Sequence, residues 1–236
     1  MTLKPIFFFD LDNCLYDKKL NVLSLMRQKI REYFVNTMGI PAEEVAALQM
    51  KYMKTYGTSL KGLQKEYHVD PIDYDQKVDQ ALPLDGLINK DEPLREMLHN
   101  MNCKKWVFTN AYRVHAVRCL KLLGIENEFD GLTYANYAIP DFNCKPDPAA
   151  FMRAMKDAGA VDPTQCYLVD DSAQNIDAAQ QLGWTTVHLA DDASQSNHGD
   201  FQIDDIHDLY EILPEFWEPK TEVKIRRQSL GITAEA

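Results

Sequence analysis

Two aspartates separated by one residue, Asp10 and Asp12, follow the apolar run Ile6–Phe9. Because side chains alternate along a strand with a period of two, both carboxylates leave the strand end on the same side. Two carboxylates this close disfavour each other's ionisation, and a hard cation such as Mg²⁺ would relieve that repulsion. The pair also allows one carboxylate to attack while the other carries a proton. Taken alone, the pattern is short, and an acidic strand end exposed to water explains it better.

The pair is accompanied by two further polar elements. Thr109 and Asn110 follow the apolar run Trp106–Phe108 and offer a hydroxyl and an amide to phosphoryl oxygens, although an ordinary helix N-cap explains them equally well. Lys145 lies in the segment Cys-Lys-Pro-Asp-Pro, whose prolines stiffen the backbone around Asp147. A lone lysine is usually a solvated surface residue, but a stiff backbone suits the fixing of one cation.

A second acidic pair, Asp170 and Asp171, ends the very apolar run Tyr167–Val169. Placing two acids at the end of a buried strand is costly unless a cation compensates their charge. The alternative is that they cap the helix that follows Ser172, but capping needs only one of them. The pair therefore favours a cation site.

The elements that position these residues follow from hydrophobic patterning. Short continuous apolar runs, each ending in polar or acidic residues, are typical of strands buried on both faces of a parallel sheet. Helical patterns that end at glycines lie between the runs, and this alternation predicts an α/β fold with a doubly wound, Rossmann-like, mostly parallel sheet. In such a fold the ligand lies beyond the carboxyl ends of the strands. The predicted strands are Ile6–Phe9, Trp106–Phe108, Tyr167–Val169 and Thr186–Leu189.

One segment breaks the alternation, because about Leu20 to Leu82 shows helical periodicity and no strand pattern. We predict an all-helical cap over residues 18–91, inserted after the first strand. The catalytic α/β core then comprises residues 1–17 and 92–217, followed by a mobile tail over residues 218–236. The cap either closes over the site as a lid or forms a static second packing layer. Its predicted helices are one stripe from Leu23 to Gly39, one from Pro41 to Gly57, and Ser59–Tyr67 and Pro71–Leu82.

In this order, the four polar elements resemble the haloacid dehalogenase superfamily of phosphohydrolases, over roughly Lys4 to Asp192. The resemblance implies that Asp10 attacks phosphorus and becomes phosphorylated, and that Asp12 protonates the leaving oxygen and then activates water. It implies Mg²⁺ as cofactor. The metal would be held by Asp10, by the backbone carbonyl of Asp12 and by the second acidic pair, with Asp171 as direct ligand and Asp170 acting directly or through water.

The same resemblance assigns the remaining core residues. Thr109, the backbone of Asn110 and Lys145 would hold the transferring phosphoryl group, which fits a reaction that depends on positioning and charge neutralisation. Within the family, the dehalogenase branch lacks an acid at the position of Asp12. This residue therefore favours phosphate chemistry.

Two segments, Phe9–Tyr16 and Tyr56–Leu63, resemble the pyrimidine 5′-nucleotidases, which split UMP or CMP into nucleoside and phosphate. Two glycines in the second segment would let the backbone approach a ligand, although a helix–helix turn explains the same residues. The alternatives are a phosphatase for another small phosphoester (a sugar phosphate, phosphoglycolate or a lysophospholipid) and a non-catalytic binding protein on the same fold. The cap residues predicted to select the substrate are Tyr56, Gly57, Thr58, Ser59 and Lys61.

Composition narrows the partners. A net charge of −11 argues against a nucleic-acid polymer or an anionic membrane as the main partner. The resemblance above implies a small phosphorylated metabolite, a nucleoside monophosphate, as the partner. Five cysteines without a C-x-x-C pair, and an N-terminal apolar run too short for a signal peptide, predict a soluble, intracellular protein, located in the cytoplasm or the nucleus. As partners of its own kind we expect none or a few, in a monomer or a small homo-oligomer. In the basic tail, Ser229 follows two arginines, a pattern that predicts phosphorylation.

Overall fold

The computed structural model describes residues 4–217, and within them a six-stranded sheet forms the centre of the fold. All strand pairs are parallel, in the order β3-β2-β1-β4-β5-β6, which is the doubly wound arrangement. The predicted fold class is confirmed. The predicted tail and Ser229 lie outside the described residues. The strands are β1 Ile6–Phe9, β2 Lys104–Thr109, β3 Gly131–Tyr134, β4 Cys166–Asp170, β5 Thr185–Leu189 and β6 Phe201–Ile203.

Strand β1 shows why the apolar runs form this sheet. Every residue of it is buried, and the two faces of the strand enter different hydrophobic clusters. Phe7 and Phe9 pack into the larger cluster on one side of the sheet, whereas Ile6 and Phe8 pack into the cluster on the other side. A strand covered on both faces needs apolar residues at every position, so its sequence is a continuous apolar run.

Helices cover the sheet and form the insertion after β1. The insertion contains α1 Val22–Asn36, α2 Ala42–Tyr56, α3 Ser59–Glu66 and α4 Pro71–Lys77. The remaining helices are α5 Glu92–His99, α6 Arg113–Leu123, α7 Pro148–Ala158, α8 Ala173–Gln181 and α9 Leu209–Ile212. Among the residues described, no helix is both long and apolar enough to cross a membrane.

The insertion has its own hydrophobic cluster, to which Tyr137 and Phe142 from the loop after β3 contribute. Helix α4 ends at Lys77, earlier than the predicted Leu82, and turns occupy residues 78–81 before Pro83. Leu82, like the nearby Ile88, packs into the sheet-side cluster. Residues that pack with the sheet therefore begin before the predicted domain boundary at residue 91. The two-domain division stays a prediction.

Four of these elements were absent from the predicted set, namely β3, β6, α5 and α9. Strand β3 begins at a glycine and strand β6 has three residues, so neither presents a continuous apolar run. They are the two outermost strands of the sheet. Helix α5 is entered through Asp91, whose side chain accepts a hydrogen bond from Leu94 N, with Pro93 in the first turn.

Candidate active site

The carboxyl ends of the three central strands bring the predicted core residues together. Asp10 directly follows β1, and its backbone N–H donates to the carbonyl of Val169 in β4 at 3.0 Å. Strand β1 pairs with β2 on one side and β4 on the other, which places Thr109 and Asp170 at the ends of the flanking strands. The register of the sheet thus makes neighbours of residues that lie far apart in sequence.

Lys145 lies at the centre of this strand end. Its side chain is wholly buried, and its ammonium lies 2.8 Å from Asp10 Oδ1 and 2.5 Å from Asp170 Oδ2. The ammonium also lies 5.0 Å from the ring centroid of Phe108. Burial works to lower the pKa of Lys145, but the two carboxylates outweigh burial and raise that pKa above its usual value. The residue is a fixed cation at neutral pH.

The two acids that end β4 have different surroundings. Asp170 is fully buried, and both of its oxygens are occupied: Oδ1 accepts from Ser172 N and Asn175 Nδ2, each at 2.9 Å, and Oδ2 accepts from Lys145. Asp171 lines the open cleft and accepts from Asn13 Nδ2 at 3.3 Å. Asp171 is therefore the better placed of the two to bind a metal directly.

Protonation of the acids reflects their crowding. Burial raises the pKa of Asp10 well above its ordinary value, despite the opposing charge of Lys145. Burial, followed by the charge of Asp170, raises the pKa of Asp171 to about 7. The protein without a metal therefore retains protons here near neutral pH, because like charges cannot all ionise in a buried site.

The acidic cluster fits Mg²⁺. Carboxylate oxygens of Asp10, Asp170 and Asp171 all lie within 4.8 Å of one another. Once all three carboxyls are ionised, the single ammonium of Lys145 leaves two negative charges for a divalent cation to balance. The buried Oδ1 of Asn13 has no hydrogen-bond partner within residues 4–217. Oxygen donors of this kind are the ligands that Mg²⁺ prefers.

Asn110 and Thr109 differ in which of their side-chain hydrogen-bonding groups remain available to a ligand. The side chain of Asn110 accepts from Lys145 N and donates to Lys145 O, both at 2.7 Å, so its amide holds the lysine backbone and is not free for phosphoryl oxygens. This corrects the prediction that the side-chain amide of Asn110 binds phosphoryl oxygens. The backbone of Asn110 stays a predicted phosphate contact. Thr109 lines the cleft, and its Oγ1 accepts from Ala111 N at 3.0 Å. The hydroxyl hydrogen of Thr109 is thus available to a phosphoryl oxygen.

Asp12 is held by two groups that the sequence pattern did not reveal. Its Oδ1 accepts a hydrogen bond from the Tyr16 hydroxyl at 2.6 Å and lies 2.6 Å from Nε2 of His115. Burial works to raise the pKa of Asp12, but the His115 charge and both hydrogen bonds outweigh it, so this pKa lies below its usual value. The paired state favours the carboxylate, the form that accepts a proton from water.

A cleft of about 770 Å³ opens above these residues, between the strand ends and the helical insertion. Gly57, Thr58 and Ser59, three of the five residues predicted to select the substrate, line it. The structure does not bring the other two predicted residues into the cleft wall. Tyr56 packs against the ring of Tyr52 at a centroid distance of 6.1 Å, and Lys61 faces Asp147 of the core at 3.8 Å.

Gly57 packs the insertion against the core, which explains its glycine without a ligand. Its φ is +80°, and a Cβ there would lie 2.3 Å from the Lys145 carbonyl oxygen. Gly62, the second glycine of the segment, packs in the same way against the Tyr52 ring, which a Cβ would approach to 2.1 Å. Both glycines thus serve close packing within the protein, and of the two only Gly57 also lines the cleft. Thr58 caps α3, as the alternative explanation held.

Gly57→Ala is expected to lower the free energy of unfolding by roughly 2–4 kcal/mol, because alanine is strained at this φ and its methyl group displaces the Lys145 backbone. Gly39→Ala is the matched control: Gly39 has a φ of +67°, but no atom lies within 4 Å of the position that the alanine methyl group would take. It should cost about 1 kcal/mol and leave activity unchanged. Urea unfolding and initial rates measure both variants, and equal costs would contradict the packing role of Gly57.

Aromatic residues in the cleft wall also differ from those noted in the sequence. Tyr74 of α4 and Tyr137 of the loop after β3 line the cleft. Tyr52 is buried inside the insertion, where its hydroxyl donates to Glu66 at 2.7 Å. Helical periodicity identifies which side chains are buried, but it does not show which buried rings border a cavity formed with another segment.

Known proteins resemble this chain in sequence and in fold. The sequence matches the haloacid dehalogenase-like hydrolase family over residues 5–183. It is 38% identical over 201 residues to Phosphate metabolism protein 8 of Saccharomyces cerevisiae, an alignment that covers 80% of this chain. The chain spans 63% of the length of that relative.

Solved structures share the fold at low sequence identity. The putative HAD-hydrolase YfnB of Bacillus subtilis, bound to magnesium, aligns with a TM-score of 0.61 at 17% identity, covering 90% of this chain and all of that one. CbbY of Rhodobacter sphaeroides, in complex with xylulose-(1,5)bisphosphate, aligns with a TM-score of 0.61 at 16% identity, covering 88% and 96%. Identities this low support the fold alone.

Proposed function

The chain belongs to the haloacid dehalogenase-like hydrolases, and on that premise we propose that it is a Mg²⁺-dependent phosphomonoester hydrolase that forms an aspartyl phosphate on Asp10. The observation that carries the proposal is the buried contact of Lys145 with Asp10 and Asp170 at the floor of the cleft. Phosphoryl transfer is catalysed mainly by positioning and by neutralising charge on the transferring group. A nucleophilic carboxylate beside a fixed cation supplies both.

In the proposed reaction, an oxygen of Asp10 bonds to phosphorus as the bond to the leaving oxygen breaks, and Asp12, which enters this step in its protonated form, gives that oxygen its proton. Asp12 then takes a proton from water as the water oxygen bonds to phosphorus, which frees Asp10 and inorganic phosphate. The Lys145 ammonium and the Thr109 hydroxyl hold phosphoryl oxygens in both steps. When bound by Asp10, the Asp12 carbonyl and Asp171, Mg²⁺ supplies further positive charge.

Binding of Mg²⁺ is expected to tighten as the pH rises from about 6 to 8, because it displaces protons from carboxyls whose pKa values are raised, that of Asp171 to about 7. The affinity should change by up to about tenfold per pH unit for each proton displaced. For the same reason, Asp171 stabilises the metal-free protein at low pH and loses this contribution as the pH rises through about 7. Titration calorimetry in buffers of different ionisation enthalpy counts the protons; a pH-independent affinity without proton release would contradict the raised pKa.

Our preferred substrate is a pyrimidine nucleoside monophosphate. The two segments that resemble pyrimidine 5′-nucleotidases meet in the structure, since Asp10, Asp12 and Asn13 of the first and Gly57, Thr58 and Ser59 of the second line one cleft. Its volume of about 770 Å³ lies within the range of small-molecule sites, which run from about 300 to 1,000 Å³. The rings of Tyr74 and Tyr137 add aromatic surface to the wall.

A different observation favours the alternative of a phosphoester with an extended apolar group, such as a lysophospholipid. Helices α1 and α2 line the mouth of the cleft with apolar side chains, of which Met50 and Met53 are 73% and 50% exposed. Flexible methionines suit an apolar ligand of variable shape. Arg27, Gln49 and Lys54 of the same helices also line the cleft, so this part of the wall offers polar groups as well.

The test is phosphate release in the presence of Mg²⁺ from UMP, CMP, AMP, GMP, several sugar phosphates and a lysophosphatidate, with p-nitrophenyl phosphate as a general probe. We expect kcat/KM to be highest for UMP and CMP. Preference for the lysophosphatidate would replace the nucleotide proposal and keep the catalytic mechanism. Absence of phosphate release from every compound, p-nitrophenyl phosphate included, would contradict the hydrolase proposal itself.

A further inference from the structure

The carboxylate of Asp12 is held through one oxygen only. Both the Tyr16 hydroxyl and Nε2 of His115 contact Oδ1, each at 2.6 Å. Within residues 4–217, no protein hydrogen bond to Oδ2 accompanies them, and Asp12 lines the cleft that holds Asp10. The two oxygens therefore have separate surroundings, one inside the protein and one facing the site.

His115 lies in the first turn of α6, shortly after the strand end that carries Thr109. It is 1% exposed, and its Nδ1 has no hydrogen-bond partner within the described residues. Burying an imidazole is costly unless its polar atoms are used. Besides Asp12, the only side-chain hydrogen-bond partner of Nε2 among the described residues is Sγ of Cys119, at 3.4 Å. An apolar residue would fill this position at lower cost if packing alone were needed.

The same three side chains, Asp12, His115 and Cys119, carry a set of potential metal ligands. The distance of 2.6 Å between Oδ1 of Asp12 and Nε2 of His115 argues against a shared ion. Two ligands about 2 Å from one tetrahedral metal lie more than about 3 Å apart. The contact has the length of a charge-assisted hydrogen bond.

We propose that His115, together with Tyr16, positions the general acid–base Asp12, holding Oδ1 so that Oδ2 faces the leaving oxygen and later the attacking water. The proposal rests on the role of Asp12 in the proposed function. General acid–base catalysis contributes about 10² to 10⁴ in rate, and a displacement of about 1 Å can cost about 10²-fold. His115 touches no reacting atom and acts through Asp12.

Substrates with different leaving groups separate this role from a structural one. The parameter kcat/KM reports the steps up to departure of the leaving group, for which a poor alkoxide needs a proton and p-nitrophenolate needs little help. We expect His115→Leu to lower kcat/KM about 100-fold for whichever alkyl phosphate of the panel the wild type hydrolyses fastest, and less than about tenfold for p-nitrophenyl phosphate. His115→Gln, which keeps an N–H donor, should recover part of the loss.

His198→Leu is the matched control, because it removes a histidine–aspartate contact of 2.7 Å with Asp177, and neither residue lines the cleft. Tyr16→Phe removes the other hydrogen bond to Asp12 and should show the same dependence on the leaving group, even if His115→Leu does not fold. Equal losses for both kinds of substrate, or no loss, would overturn the proposal. Asp10→Asn in the same assays tests the aspartyl-phosphate mechanism separately from the positioning role of His115. Activity in that variant would refute the mechanism itself.

Discussion

Asp10→Asn is expected to abolish phosphate release, with kcat at least about four orders of magnitude below that of the wild type. The amide keeps the size of the side chain but lacks a nucleophilic oxygen anion beside Lys145. Asp170 also contacts Lys145, but its oxygens are occupied by hydrogen bonds. Continuous phosphate detection gives the rate, and acid-quenched mixtures with labelled substrate should show protein-bound phosphate in the wild type only.

The loss should not come from unfolding. Burial raises the pKa of Asp10 well above its ordinary value, so ionising this carboxyl costs stability in the metal-free protein at neutral pH. The neutral amide removes that cost, and the variant should melt at the same temperature or higher. Asp177→Asn, on a side chain 46% exposed, is the matched control and should retain full activity. Substantial phosphate release by Asp10→Asn would rule out the aspartyl phosphate.

The sheet was predictable because its central strands carry their own signature. Ile6–Phe9 is buried on both faces, so its apolar run appears directly in the sequence. The outermost strands follow a different rule, since each has a strand neighbour on one side only and their pairing depends on the strand already formed beside them. Gly131 in β3 illustrates this: a Cβ there would lie 2.1 Å from the ring of Trp106, so a strand-disfavouring glycine is required by its neighbour.

The site was predictable to the extent that its residues follow strand ends. Parallel strands place their carboxyl ends at one edge, so Asp10, Thr109 and Asp171 could be grouped from their positions after apolar runs. His115 follows no such rule. It lies on a helix whose rotation relative to Asp12 is set by packing, and a lone histidine in a helical pattern gives no sign of its partner.

The helical insertion shows a second limit. Gly57 and Thr58 were consistent with both a ligand contact and a helix–helix turn. In the structure Gly57 packs against the Lys145 backbone and Thr58 caps α3, and both residues also border the cleft. The composition of the segment does not show which of its residues form the turn and which border the cleft. Lys61 was predicted to help select the substrate, but its ammonium faces Asp147.

Lys145→Met is expected to lower the free energy of unfolding of the metal-free protein by about 3–5 kcal/mol at neutral pH, or its melting temperature by roughly 10 °C. The substitution keeps most of the buried volume but leaves the carboxylates of Asp10 and Asp170 without their cation. Denaturant unfolding at pH 7.5 gives the loss. At pH 5 the loss should be smaller, because protonation of Asp10, whose pKa is raised, relieves the uncompensated charge.

Addition of Mg²⁺ then separates the two roles of this lysine. A divalent cation among the carboxylates of Asp10, Asp170 and Asp171 should restore part of the lost stability, since it replaces positive charge at the same strand ends. It should not restore phosphate release, because the ammonium that holds a phosphoryl oxygen is missing. Lys77→Met removes an exposed ion pair with Asp73 and should change stability by only about 0.5 kcal/mol, with or without the metal. If Lys145→Met were as stable as this control and remained active, the lysine would be neither the charge partner of the acids nor a phosphate ligand, and the proposed reaction would lose its central cation.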